Sequence, residues 1–269
     1  MKGQSGTLIG AIILALLIAV ALAAPVLAPH SPLGQDLPHG LSPPSLDHPL
    51  GQDKLGRDIL SRMIWGSRVS LQVGLITVAI SALLGSLLGA LAGYRGGVVD
   101  EVIMRTTDIF LAFPGILLAI ALMASLGPSL SNVIIALSVL GWTGYARLVR
   151  GQVLSLKESE FVKAAVALGS GERRVILRHL LPNALSPVLV EATFSMAGAI
   201  VAEAGLSFLG LGTQPPRPSW GAMLSEGRDF LLIAPHLTLF PGLAIMVVVL
   251  GLNFLGDGLR DLLDPAQKR

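Results

Sequence analysis

Long apolar stretches alternate with short polar ones along this chain. Six stand out, at residues 8–28, 71–93, 109–126, 130–146, 188–211 and 237–256. A helix of about 20 apolar residues crosses the roughly 30 Å hydrocarbon layer of a bilayer. No water is available there to satisfy a free backbone, so each stretch must be helical. The pattern predicts an all-α membrane protein with six transmembrane helices. The third and fourth stretches are short, and Gly127-Pro128-Ser129 between them predicts a tight hairpin. The second carries Gly85, Gly89 and Gly93 on one helix face. Another backbone can approach there, and packing within the chain is favoured over a subunit contact. The first stretch follows Lys2 and ends in alanines, as a signal peptide would. Its 21 residues suit a span better than a cleavable apolar region.

Orientation follows from Lys and Arg, which gather on the cytoplasmic side. With the N-terminus inside, the inner segments hold Lys2, Arg95, Arg105, Arg147, Arg150, Lys157, Lys163, Arg173, Arg174, Arg178, Arg260, Lys268 and Arg269. The outer ones hold Lys54, Arg57, Arg62, Arg68, Arg217 and Arg228. Thirteen against six places both termini in the cytoplasm. The longest inner loop, 147–183, supplies most of the margin. The first outer segment, 29–70, begins with Pro29, Pro32, Pro38, Pro43, Pro44 and Pro49, which make it extended and irregular. Its second half predicts a short amphipathic helix over 57–68, with Ile59, Leu60, Met63 and Ile64 on the apolar side and Trp65 suited to the membrane interface.

Composition fits a membrane protein. Of 269 residues only 13% are charged, against about 25% in soluble domains, and the mean hydropathy is +0.73. A net charge of +2 is too small and too scattered for a nucleic-acid partner. With no cysteine, disulfides, thiolate metal sites and cysteine nucleophiles are excluded.

Several segments imitate chemistry. Residues 51–58, GQDKLGRD, have the glycine spacing of a phosphate loop, but Arg57-Asp58 stand where Lys and Ser or Thr are needed, and no strand precedes them. The segment is rejected as an ATP site, and no other stretch fits one. His30, His39 and His48 recur every nine residues near Asp36 and Asp47. That spacing does not make them converge on a metal, so they read as exposed loop histidines, with a metal role kept in view. Glu203, within the fifth stretch, requires a polar partner or a wet cavity. It either lines a path or bonds a neighbouring helix. Glu191 lies near the inner boundary, within reach of water. No Ser/His/Asp set, paired carboxylates or His-Glu-x-x-His helix is present, so neither an enzyme nor a cofactor is indicated.

The inner loop is the most informative segment. From Gly144 to Pro187 it reads GYARLVRGQVLSLKESEFVKAAVALGSGERRVILRHLLPNALSP. A helix is predicted over 160–168, a sharp turn at Gly169-Ser170-Gly171, and a second helix over 172–181 that Pro182 stops. Arg178 and His179 suit its negative pole. Two readings of this basic element compete: a helix lying on anionic lipid, or a rigid lever inserted into a partner.

Here the chain resembles a known family. Ala164-Ala165, Gly169 and Leu181-Pro182 match the spacing of the EAA loop of ABC importer permeases. Lys163 stands where that motif has its leading Glu, and His179 where an apolar residue is usual. HPLGQDKLGRDILSRMIWGSRVSLQVG (48–74), AEAGLSFLGLGTQPPRPSWGAML (202–224) and NFLGDGLRDLLDP (253–265) resemble the C-type permeases of the dipeptide, oligopeptide and nickel importer group. The resemblance runs in order through almost the whole chain. It implies a type I importer permease fold in a prokaryotic cell membrane. Residues 1–68 would hold the first span and an extracytoplasmic segment, 69–260 the permease core, and 261–269 a cytoplasmic tail. It further implies a second homologous permease subunit, two ATPase subunits in the cytoplasm, and an external solute-binding protein. Lys163, Ala164, Ala165, Gly169, Leu181 and Pro182 would belong to the ATPase-coupling loop. A peptide is the expected cargo, with nickel, glutathione or another small solute as alternatives. A self-sufficient secondary transporter would need inverted repeats and midplane ligands, and only Glu203 resembles one. A membrane enzyme would need a catalytic set within the spans.

Overall fold

The computed structural model describes residues 2–263. Pro265, Lys268, Arg269 and the segment 264–269 of the expected tail lie outside the described residues, as does the side chain of Lys2. All regular structure among the described residues is helical.

The first apolar run forms α1, Lys2–Leu22, and a short α2, Ala24–Leu27, instead of one helix. Pro25 has no amide hydrogen to donate, so the ladder breaks at Ala23. An irregular segment follows, then α3, Ile59–Arg95. Its 37 residues join the expected amphipathic helix to the expected second span without a break. Trp65 is half-buried there and packs under the Arg68 guanidinium at 5.1 Å. Asp58 caps α3, its carboxylate accepting from Ser61 N at 2.7 Å.

The third run is also corrected. It is divided between α4, Gly97–Ala112, and α5, Gly115–Leu126, which meet at 89°. Phe113, ahead of Pro114, is extended (φ −101°, ψ 143°), because a proline ring disfavours the helical conformation in the residue before it. The predicted hairpin leads into α6, Leu130–Leu156, capped by Ser129 and tied by Asn132 Nδ2 to the carbonyls of Leu126 and Gly127. The inner loop follows with α7, Glu160–Ala167, and α8, Glu172–Val175. A π-helical turn, Ile176–Leu180, leads to α9, Leu181–Asn183, and then to α10, Leu185–Phe208. Two helices complete the chain: α11, Trp220–Gly227, and α12, His236–Leu263.

Pro182 therefore does not stop the chain's helical course. Leu181 N bonds to Ile176 O across the wider π spacing, and Pro182 falls in the first turn of α9. A proline's missing donor is not needed in a first turn.

Among the described residues, α3, α6, α10 and α12 are long and apolar enough to cross a membrane. The bent pair α4–α5 makes a fifth if it is one span, and Gly6–Leu22 is a shorter apolar helix. The expected six spans thus stand as four or five plus that helix. Gly85, Gly89 and Gly93 face α6: an added Cβ would meet the carbonyl oxygens of Trp142, Ala146 and Arg150. The glycine face is spent on intramolecular packing. Gly10 of α1 meets the backbone of Gly251 and Leu255 in α12 in the same way.

Candidate functional site

Three places carry polar groups that the apolar core does not explain. One is a cavity of about 320 Å³ among the long helices. Thr77 and Ser81 of α3, Gly115 and Ala119 of α5, Gly141 and Tyr145 of α6, and Ser195 and Gly198 of α10 line it. Small residues leave the space and hydroxyls make it partly polar. The hydroxyls of Thr77 and Tyr145 have no hydrogen-bond partner among the described residues. Buried hydroxyls are normally satisfied, so this cavity is suited to hold water or a passing polar group. Glu203 is not among its lining. It is fully buried near the end of α10, where its Oε1 accepts from Ser207 Oγ at 2.6 Å. The same hydroxyl accepts from Thr213 N at 3.1 Å, and Ser219 lies beside the carboxyl. Glu203 thus sits where α10 joins the loop leading to α11. Glu191, half-buried, accepts from Ser195 Oγ at 3.2 Å.

The inner loop is the second place. Gly169 has φ +83°, which provides the predicted turn. Val162, Val175, Ile176 and Leu180 are buried in one cluster with Ala90 of α3 and Tyr145, Val149 and Val153 of α6. Tyr145 therefore touches both the cluster under the loop and the cavity above it. Ala164, Gly169 and Pro182 are exposed, and Ala165 and Leu181 are half-buried. Lys163 pairs with Glu158 at 3.1 Å on the surface. Arg95 at the end of α3 donates twice to Glu172, at 2.6 and 3.1 Å. Arg150 does the same to Asp100. Arg173, Arg174 and Arg178 have no ion-pair partner among the described residues. With exposed Leu168 and Leu177 they form a face both basic and apolar.

The third is the segment between α2 and α3, which sequence reasoning treated as irregular. Its phosphate-loop imitation folds around its own charges. Gly51 and Gly56, at φ +82° and +71°, make the turns. Asp53 accepts from the backbone of Leu55 and Arg57 and from Arg57 Nε at 2.6 Å. Arg57 and Arg62 both reach Glu226 of α11, at 2.6 and 3.2 Å. Arg62 is 1% exposed. The nine-residue histidine spacing resolves differently from the expectation. His39 pairs with Asp36 at 2.8 Å on the surface. His30 and His48 come together beside Asp58, so two of the three converge on an acid outside the spacing. Nothing local marks Arg57 and Arg62 as buried, because the acid that compensates them, Glu226, is distant in the chain.

Comparison with known proteins places these features in context. Residues 85–269 match the binding-protein-dependent transport system inner membrane component family, and residues 3–44 match the N-terminal transmembrane domain of oligopeptide transport permease C. The chain is 47% identical to the dipeptide transport system permease protein DppC of Alkalihalophilus pseudofirmus, over all of this chain and 88% of that one. It is equally similar to the glutathione transport system permease protein GsiD of Escherichia coli, strain 536, covering 99% and 88% of the two chains. Its fold matches a chain of the inward-facing MetNI methionine ABC transporter with a TM-score of 0.61 at 18% identity, over 76% of this chain and 97% of that one.

Proposed function

The chain belongs to the binding-protein-dependent transport system inner membrane component family, in its oligopeptide permease C branch, and from that premise we propose that it forms one half of the path of an ATP-driven importer of short peptides. It is a multi-pass inner membrane permease subunit, a transport rather than a catalytic component. The finer reading adds the partners: a second homologous permease subunit, two ATPase subunits on the cytoplasmic side, and a solute-binding protein outside. Both termini face the cytoplasm, as the excess of Lys and Arg on that side supports. Residues 1–68 comprise the first helix and the extracytoplasmic segment, 69–260 the permease core, and 261–269 the cytoplasmic tail.

One observation carries the mechanism. The apolar cluster under the inner loop and the wall of the cavity share Tyr145. A displacement of Val175, Ile176 and Leu180 is thereby passed to the cavity through close-packed side chains, which transmit strain instead of absorbing it. Residues 147–183 form the coupling loop. Lys163, Ala164, Ala165, Gly169, Leu181 and Pro182, of which Ala165 and Leu181 are half-buried, belong to the part of the loop that meets the ATPase, and Arg173, Arg174 and Arg178 with Leu168 and Leu177 supply its exposed contact. Glu203 acts in packing, holding α10 to the loop before α11. The cargo is a dipeptide or glutathione. The relatives named for these two cargoes are equally similar to this chain, and both cargoes are small peptides.

The test is Gly169→Val in the complete transporter reconstituted in vesicles. A β-branched residue at φ +83° is strongly disfavoured. No neighbour lies within 4 Å of an added Cβ, so the strain stays in the turn. Membrane insertion is expected to be kept, with ATP hydrolysis continuing and uptake of labelled dipeptide or glutathione lost. Uptake at the wild-type rate per ATP hydrolysed would refute the lever.

A further inference from the structure

The segment 29–58 is nearly without secondary structure, yet its two ends and its middle meet at one point. That point is the first turn of α3. Asp58 sits there with a carboxylate 1% exposed. His48, ten residues earlier, brings Nδ1 to 2.9 Å from Asp58 Oδ1. His30, on the other side of the proline-rich stretch, brings Nδ1 to 3.9 Å from Asp58 Oδ2. The two imidazole rings are 4.5 Å apart, tilted by 33°. One ligand atom from each of the three residues lies within 4.8 Å of the other two.

We propose that His30, His48 and Asp58 form a binding site for a divalent transition metal of the zinc class. Zinc binds imidazole nitrogen and carboxylate oxygen at about 2.0–2.2 Å. Tetrahedral geometry then sets its ligand atoms roughly 3.3 Å apart. The His48–Asp58 pair, through Oδ1, falls a few tenths of an ångström short of that, and the His30–Asp58 pair, through the other oxygen Oδ2, exceeds it by somewhat more. Closing the triad needs rotation of His30, which has room because its side chain is 42% exposed, and a small turn of the Asp58 carboxylate, whose two oxygens face the two rings separately. Two imidazoles and one carboxylate favour zinc, nickel or copper over magnesium and calcium, which prefer all-oxygen sets.

Backbone hydrogen bonds hold the segments that carry these side chains in place. His30 N donates to Ser61 Oγ at 3.0 Å, and Ser61 N donates to Asp58 Oδ2. His48 O accepts from Ser45 N and Gly51 N, and His48 N donates to Ser45 Oγ at 3.0 Å. Ile59 N in turn bonds Gly51 O. The two histidine backbones are thus strapped to the helix start that Asp58 caps. The neighbouring residue in the chain, Arg57, directs its guanidinium to Asp53 and Glu226. A bound ion would close the segment from His30 to Asp58 into a ring, and the site does not depend on the transport reading.

The test uses the full-length, tag-free chain in detergent, with Zn²⁺ followed by calorimetry and Co²⁺ by its visible absorption. One ion per chain is expected, with the band shape of a nitrogen–oxygen site. His48→Gln and His30→Gln should each weaken binding by more than the roughly 10–100-fold that outer-shell changes cost. His39→Gln, whose ring pairs with Asp36, should bind as the wild type does. His30→Gln is the decisive variant, because its exposed ring can be lost without disturbing the fold. The absence of one-to-one binding, or equal binding by wild type, His30→Gln and His48→Gln, would overturn the site.

Discussion

The two ends of α3 are held by opposite kinds of electrostatics. At its start, Arg57, Arg62, Asp53 and Glu226 are mostly removed from solvent and link residues up to 169 positions apart. At its end, Arg95 and Glu172 make an equally well-formed forked pair, but their side chains are 50% and 36% exposed. A buried pair is costly to break, because the surviving partner is left as an uncompensated charge. An exposed pair contributes little and is readily exchanged for water. The start of the helix is therefore a fixed joint, and its end is a detachable one. The second kind suits the coupling role proposed for the inner loop, which would be released and re-engaged in each cycle.

Arg62→Ala should break this contrast most severely. It leaves Asp53 and Glu226 with only Arg57, and about 3–5 kcal/mol of stability should be lost. Thermal unfolding of the purified chain in detergent measures it, and a loss as small as that of a surface variant would contradict a fixed joint. Gly89→Leu comes next. Its side chain has no space against the backbone of Ala146, and overpacking of this kind costs about 1–3 kcal/mol. The same unfolding measurement applies, and a loss no larger than that of a surface variant would contradict the close contact with α6. Glu172→Ala should have the smallest effect on stability, under about 1 kcal/mol. Its effect is expected in the ratio of uptake to ATP hydrolysis, because it frees the loop from α3. An unchanged ratio would show that the exposed pair does not guide the loop.

What was legible in the sequence divides along the same line. Apolar runs fixed the positions of the long helices, since a run of that length in lipid has one solution. Gly85, Gly89 and Gly93 announced a close contact because their four-residue spacing repeats on one face, and Gly169 announced its turn. The break at Phe113-Pro114 was also written in the chain, but a strong apolar run hid a local backbone rule. Pro182 misled in the opposite direction, because a π-helical turn removed the need for its missing donor. The buried cluster could not be read, since Glu226 lies more than 160 residues from the arginines it meets. Regular spacing of His30, His39 and His48 was likewise no guide: in an irregular segment, distance along the chain says nothing about distance in space. The proposed coupling-loop residues rest on their match to the EAA loop, and the structure adds the apolar cluster that lies beneath them.

At 37 residues, α3 is about 55 Å long, well beyond the roughly 30 Å of hydrocarbon it crosses. With its start anchored by buried charge and its last third packed along three glycines against α6, it moves together with α6 as a stiff rod. Geometry then sets the gain: a tilt of about one degree moves the far end of a rod this long by roughly 1 Å. A tilt of about three degrees where Asp58 begins the helix is thereby magnified to the length of a hydrogen bond at Arg95, its other end.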